Sequence, residues 1–137
     1  DSFGSQRIWL DGASGVIAGT VKAFVEADPD FPGQNIWYAS VESRTPKLQI
    51  SGTANLMGGQ AVVELPRDFA VLAKPGSLSV HLTPRSAATI GLAVVESTPS
   101  RITVRELGGG TGTFAFDYLV IAQRARQAGW QTVRTAK

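Results

Sequence analysis

Short apolar runs closed by turn residues recur along the whole chain, and this spacing restricts the fold more than any other feature. Leu78, Val80 and Leu82 alternate with polar residues, and so do Leu48 and Ile50 within residues 47–56. This is the period of a half-buried strand. Comparable runs follow one another at about the 8–12-residue spacing typical of β-sandwiches. The 15 glycines and 7 prolines supply the turns. The pattern predicts an all-β domain, a sandwich or open barrel of about nine short antiparallel strands.

One segment departs from the strand pattern. Pro66 suits the first turn of a helix, where its missing N–H is not needed. Phe69, Leu72 and Ala73 then fall at positions i, i+3 and i+4. We therefore predict one short helical turn over residues 66–73, with this apolar side lying on the sheet.

The composition sets limits on size and partners. A chain of 137 residues is about one domain, and 43% hydrophobic residues are enough for a core. Disulfides and thiolate metal sites are excluded because the chain has no cysteine. The 13 basic residues are scattered among 11 acidic ones, without the polybasic stripe that binds nucleic acid. We therefore expect no nucleic-acid partner. We also expect no membrane insertion, since no apolar run is long enough to span a bilayer.

Residues 1–20 form an apolar segment that a two-stranded hairpin cannot bury by itself. A hairpin has one protected face and is marginal in water. We interpret residues 1–20 as an N-terminal neck that associates with other copies, and residues 21–137 as an all-β head. The chain starts at Asp1 without an initiator methionine, so we expect it to be a piece of a longer protein. The apolar residues of the segment are Ile8, Trp9, Leu10, Val16 and Ile17.

The single histidine raises the question of catalysis. His81 lies on the polar face of its strand, beside Ser79 and Thr83. Each neighbour is expected about 7 Å away along the strand, too far for a direct hydrogen bond. One histidine without cysteine also excludes a His/Cys zinc site. We interpret His81 as a polar strand position and expect no catalytic residues.

The carboxylates and the glycine-rich segment allow other chemistry. Residues 26–30 hold three carboxylates that could bind calcium, although aspartates beside prolines are ordinary turn formers. The glycine-rich residues 107–113 precede a strand and not a helix, so they indicate a hairpin tip, not a phosphate site. We expect no metal and no cofactor. Two carboxylates could also meet as a glycosidase pair, but they occupy polar strand positions: Glu42, Glu64, Glu96 and Asp117.

Four aromatic residues are candidates for contact with a sugar, a receptor or another chain. Aromatic rings stack on sugars and dominate protein interfaces, although packing in a core is their commoner role. The four are Trp9, Trp37, Tyr38 and Trp130.

The order of these segments resembles a family of C-terminal β domains found in phage tail fibres and in fibre-like surface proteins. The family pattern has a Lys-x-Phe strand, an Asp-His-Pro turn, an aromatic strand ending in Val-Glu-Ser, a glycine hairpin, Val-Glu-Leu-Pro-x-x-Phe, Leu-Thr-Pro and a Tyr-x-Val-x-Ala-x-Arg strand. The matching segments are residues 22–24, 28–29, 41–43, 58–59, 63–69, 82–84 and 118–124.

The resemblance implies a homotrimer at the distal part of a tail fibre or similar extracellular appendage, bound to a cell-surface glycan or protein receptor. It implies no enzyme activity. Two departures concern histidines: Asp28 directly precedes Pro29, and Tyr38 stands where relatives have a second histidine. A monomeric carbohydrate-binding β-sandwich of a secreted or surface protein is the alternative, and a glycosidase the third hypothesis.

Overall fold

The computed structural model describes residues 8–13, 15–19 and 21–133, apart from the side chain of Trp9. The chain divides into two compact units, the first of residues Asp1–Glu42 and the second of residues Ser43–Lys137. The predicted boundary after residue 20 therefore differs from the division by contacts, which places the next two strands with the N-terminal segment. The association expected of residues 1–20 stays a prediction.

Two antiparallel hairpins make up the described part of the first unit. The first hairpin joins β1 (Ile8–Asp11) to β2 (Val16–Gly19), and the second joins β3 (Ala23–Ala27) to β4 (Asn35–Ala39). Each hairpin is a separate two-stranded sheet. Both agree with the runs and turn residues of the sequence.

An Asx turn closes the second hairpin. The Asp28 carboxylate accepts hydrogen bonds from the backbone N–H groups of Asp30 (2.9 Å) and Phe31 (3.2 Å). The Asp28 N–H donates to the carbonyl of Gln34 at 3.0 Å. Gly33 adopts φ +88°, a left-handed conformation that few other residues take. The polar and glycine residues of this loop therefore determine the hairpin locally.

The described part of the second unit contains six strands and one short α-helix. Two antiparallel three-stranded sheets form, in the orders β5-β10-β7 and β6-β9-β8. Two 3-10 turns, Leu107–Gly109 and Ala125–Gln127, follow β9 and β10. The elements are β5 (Lys47–Leu56), β6 (Gln60–Glu64), α1 (Arg67–Leu72), β7 (Ser79–Pro84), β8 (Leu92–Thr98), β9 (Arg101–Glu106) and β10 (Phe114–Gln123).

The hydrophobic core of the second unit lies between its two sheets. Each sheet supplies side chains to it, which makes this unit a β-sandwich and confirms the all-β prediction. The alternation predicted for residues 47–56 and 78–83 is also confirmed by their burial. The described residues contain ten strands, against about nine predicted. The largest fully buried side chains are Leu56, Ile102, Val104, Phe116 and Val120.

The turn at Met57–Gly59 changes sheets. A simple hairpin would have paired β5 with β6, but β5 pairs with β10 and β6 pairs with β9. One bridge, between Met57 and Gln60, is all that links the two ends directly. Gly58 and Gly59 have φ of +57° and +83°, so the chain reverses tightly and passes from one layer to the other.

The predicted helical turn is confirmed, with one correction to its buried side. Helix α1 begins one residue after Pro66, and Phe69 and Ala73 are 6% and 3% exposed. Leu72 is 43% exposed, so the expectation that it packs on the sheet is wrong. The helix is too short to turn a full apolar stripe toward the core.

Candidate functional site

The β3–β4 hairpin carries an exposed pair of stacked aromatic rings. Phe24 lies opposite Tyr38 in the ladder, with ring centroids 5.3 Å apart and an angle of 2° between the planes. The two residues are 55% and 61% exposed. Side chains alternate between the faces of a strand, so Glu26 and Ile36 share this face. We call it the Phe24 face.

A charged pair stands at the start of the same hairpin. The Lys22 ammonium lies 3.1 Å from the Glu42 carboxylate, and the Ser40 N–H donates to the Lys22 carbonyl at 2.7 Å. Lys22 is two residues before Phe24, so the alternation continues the Phe24 face to this pair. Both side chains are largely exposed, and such a pair adds little stability.

The opposite face of the hairpin is also apolar. Trp37 pairs with Val25 there, and they are 68% and 43% exposed. We call this the Trp37 face. Trp37 and Tyr38, both predicted as contact residues, are therefore placed on opposite faces because they are neighbours on one strand.

The other predicted aromatics occupy different settings. Trp130 belongs to the second unit, is half-buried, and donates its backbone N–H to Gln127 at 3.0 Å. Trp9 lies in β1, and its side chain is outside the described part of the structure. Sequence reasoning missed Phe24. It lies four residues before Asp28, as Tyr38 lies four residues after Gln34, and this symmetry about the loop could have revealed the pair.

A polar network lies on the outer face of the sheet β5-β10-β7. Asp117 Oδ2 accepts a hydrogen bond from Arg85 Nε (2.9 Å), and Asp117 Oδ1 accepts one from Thr53 Oγ1 (2.6 Å) and lies 2.9 Å from Arg85 Nη2. The hydrogen bond from Arg85, followed by that from Thr53, lowers the pKa of Asp117 below its ordinary value. The carboxylate therefore stays charged at neutral pH.

His81 lies on the same outer face, and one expectation about it is wrong. Ser79 Oγ and His81 Nε2 are 3.2 Å apart, within hydrogen-bonding distance. The separation of about 7 Å holds for backbone positions two residues apart, but a long side chain leaning along the strand closes the gap. His81 is exposed, as expected of a polar strand position, and Leu119 lies opposite it on β10. Within the described part of the chain, Ser79 is its hydrogen-bonding partner.

The other sheet carries a second network of charged groups. Arg101 Nη2 lies 3.1 Å from the Glu96 carboxylate, and Thr103 Oγ1 donates to the same group at 3.2 Å. The hydrogen bond from Arg101 is the main cause that lowers the pKa of Glu96, and the bond from Thr103 adds to it. The same pair raises the pKa of Arg101.

Two of the four carboxylates considered for a glycosidase pair, Glu64 and Glu96, lie beside the same arginine, Arg101. Glu96 and Asp117 lie on different sheets of the sandwich, each bound to its own arginine. Glu42 belongs to the first unit. Glu64 lies on β6, opposite Arg101 of β9. A general acid in such a pair needs a raised pKa, whereas the pKa values of Glu96 and Asp117 are lowered.

In the two remaining candidate sites, residues 26–30 and the glycine-rich segment, a carboxylate is hydrogen-bonded to backbone N–H groups of its own loop. In residues 26–30, the Asp28 carboxylate binds loop N–H groups. In the glycine-rich tip, Glu106 accepts a hydrogen bond from the Gly112 N–H at 2.7 Å. Across the described ranges, no three histidine, cysteine or acidic side chains are grouped so that they could hold a metal ion.

The fold is all-β, with a two-sheet sandwich in the second unit and exposed aromatic side chains on the β3–β4 hairpin of the first unit. Comparisons with protein-family models, with curated proteins and with solved structures each gave no match. Within the described residues, no helix has the length and apolar character needed to cross a membrane.

Proposed function

We propose that this chain is a structural, non-enzymatic distal domain of a phage tail fibre or similar extracellular appendage. In this proposal it forms a homotrimer and attaches the appendage to a cell-surface receptor. The seven segments that resemble tail-fibre β domains support this assignment, and the all-β architecture agrees with it.

The contrast between the two units is the observation that carries the proposal. The second unit has its own buried core, whereas none of the described side chains of the first unit is buried. A soluble protein that exposes this much apolar surface usually covers it with a partner. Association of copies through the first unit supplies that cover.

Receptor contact is assigned to aromatic residues that the sequence predicts as contact residues. Trp130 is half-buried on the second unit, and Trp9 joins it as a candidate from the sequence. Glu96 and Asp117 do not favour a glycosidase, because a general acid needs a raised pKa, whereas their pKa values are lowered and each carboxylate is engaged by an arginine.

Light scattering coupled to size exclusion tests the proposal directly. The chain has a mass of 14.5 kDa, so a trimer has three times that mass. A mass that stays at one chain up to micromolar concentrations would contradict the fibre assignment. Binding to intact host cells, competed by the unlabelled chain, tests attachment.

A monomeric carbohydrate-binding module is the second candidate function, and the stacked pair favours it. Phe24 and Tyr38 present parallel rings to solvent, and the apolar face of a sugar ring packs on such a surface. A glycan array with the wild-type chain and Tyr38→Ala tests this candidate. Binding by a monomer that Tyr38→Ala abolishes would replace the fibre proposal.

A further inference from the structure

The chain passes from the first unit to the second through a segment that belongs to no strand or helix. Residues 40–46 follow β4 and precede β5, and the division into units falls after Glu42. Val41 is 99% exposed. Within the described part of the chain, no backbone hydrogen bond holds residues 41–43. Exposed segments of this kind are preferred sites of proteolytic cleavage. We call residues 40–46 the linker.

The chain after β10 returns to the end of this linker. The Arg124 N–H donates to the Pro46 carbonyl at 3.1 Å, and Thr132 Oγ1 donates to the Arg44 carbonyl at 2.9 Å. All four residues belong to the second unit. We call residues 124–132 the strap, because it fixes the end of the linker at two carbonyl groups.

The strap has structure of its own. It contains the 3-10 turn Ala125–Gln127, and the Trp130 N–H donates to the Gln127 carbonyl at 3.0 Å. Trp130 is half-buried. A segment that is already ordered loses little conformational entropy when one more of its groups forms a bond. Thr132 is therefore held where its hydroxyl meets Arg44.

Arg44 has the side chain that a trypsin-like peptidase requires. The residue is exposed, and such enzymes bind an arginine side chain in a pocket that carries an aspartate. Their oxyanion hole then receives the carbonyl oxygen of that arginine from two N–H donors. A carbonyl oxygen has two lone pairs, and Thr132 already donates to this one. The strap and the oxyanion hole therefore compete for one oxygen atom.

Other basic residues of the described chain are less accessible to such an enzyme. Those inside strands or helical turns can be cut only after the element opens, which costs more than opening a linker. Arg85 lies outside the strands, but its side chain is bound to Asp117 and its N–H to the Ala115 carbonyl. The basic residues inside elements are Lys47, Arg67, Arg101, Arg105 and Arg126.

We infer that the Arg44–Thr45 bond is a processing site for a peptidase that cuts after arginine, and that the strap protects this bond through Thr132. In the reaction water adds across the peptide bond, so that Arg44 ends as a carboxylate and Thr45 as an ammonium group. Cleavage divides the covalent chain into residues 1–44 and 45–137, and the second piece keeps the buried core. This inference goes beyond the proposed function and does not depend on it.

Digestion of the intact chain with trypsin measures the protection by the strap. Thr132→Val removes the hydroxyl and keeps the branched shape of the side chain. We expect it to raise the initial rate of cleavage at Arg44 about two- to tenfold, because the loss of one hydrogen bond shifts the linker toward its open form. Thr132→Ser keeps the hydroxyl and is expected to be cut at about the wild-type rate. Mass spectrometry of the two pieces identifies the bond.

Two controls accompany this comparison. The Lys22–Ala23 bond of the first unit is a reference within each digest, and its rate of cleavage should be the same in all three chains. Arg44→Gln should abolish the cut at this position. Circular dichroism checks that each variant keeps its strands.

The outcomes decide between a protected site and an ordinary linker. Faster cleavage at Arg44 in Thr132→Val, but not in Thr132→Ser, supports the inference. Equal rates in the three chains overturn the role of the strap, and so does equal acceleration at Lys22 and Arg44, which indicates general loosening. If bonds inside the strands are cut before Arg44 even in Thr132→Val, the linker is not a processing site. The oligomeric state does not enter these results, so the proposed function is tested separately.

Discussion

Among the described glycines, Gly59 leaves the least space for a Cβ atom. Its φ of +83° is left-handed, and a Cβ there would overlap the carbonyl oxygen of Gly110. Gly58, with φ +57°, has open space around its Cβ position. The two neighbours therefore separate backbone strain from steric overlap.

We expect Gly58→Ala to lower the free energy of unfolding by about 1–2 kcal/mol, the cost of a left-handed conformation. Gly59→Ala adds an overlap with backbone, so it should cost about 1–3 kcal/mol more. Urea denaturation of both variants measures the difference. Equal losses would mean that the loop containing Gly110 moves away at little cost.

The lowered pKa of Asp117 predicts how the stability of the fold changes at acidic pH. Its pKa in the folded chain is lowered by Arg85 and Thr53, so folding favours the charged form. The resulting stabilisation is present above the pKa of the unfolded chain and is lost as the pH falls through the lower folded pKa. Glu96 acts in the same direction through Arg101. We therefore expect the melting temperature to fall on acidification below the ordinary range of carboxyl pKa values.

The Asp117 titration isolates the role of Arg85. In carbon-detected NMR, Arg85→Gln should raise the pKa of Asp117 toward its ordinary value, since the first cause of its lowering is removed. Arg105→Gln makes the same change of charge on an exposed residue of β9 and should leave the titration midpoint of Asp117 unchanged. An unchanged midpoint in Arg85→Gln would show that this pair does not form in solution.

At the scale of elements, helix α1 attaches to the sandwich through one large side chain. Phe69 is 6% exposed, whereas Leu72 is 43% exposed. We expect Phe69→Ala to cost about 3–5 kcal/mol of stability, and Leu72→Ala below about 1.5 kcal/mol. Thermal and urea unfolding measure both. Similar losses in the two variants would place Leu72 in the core after all.

The strands of the second unit show what the local sequence pattern predicts and what it does not. Alternation in residues 47–56 and 78–83 predicted which side chains face inward, and the burial of β5 and β7 agrees. The same pattern said nothing about partners. Both strands pair with β10, whose sequence lies far along the chain, because partner choice depends on which apolar faces meet.

For the whole molecule, the division after Glu42 sets the expected result of truncation. The second unit has its own core, so removal of residues 1–42 should leave its strand circular dichroism intact and give a monomer. Removal of residues 1–19 alone should lower the oligomeric state, because Ile8, Leu10 and Ile17 are 64–72% exposed in the single chain.

The two truncations distinguish the neck from the hairpin. If the chain without residues 1–19 stays fully oligomeric, the neck interpretation fails and the contacts lie in the remaining residues. Loss of the strand signal in either truncation would show that the first unit contributes to the core of the second. Light scattering and circular dichroism are measured on the same samples.

Some properties of this protein follow from local physics, and the sequence alone determined them. Alternation placed the strands, glycines and prolines ended them, and Pro66 marked the start of helix α1. Other properties needed the tertiary structure: the change of sheet at Met57–Gly59, the order of strands, and the stacking of Phe24 on Tyr38. A turn sequence predicts that the chain reverses, but not which sheet the next strand joins. The strand joins the sheet in which its apolar face is buried against other apolar faces, and the residues of those faces lie far apart along the chain.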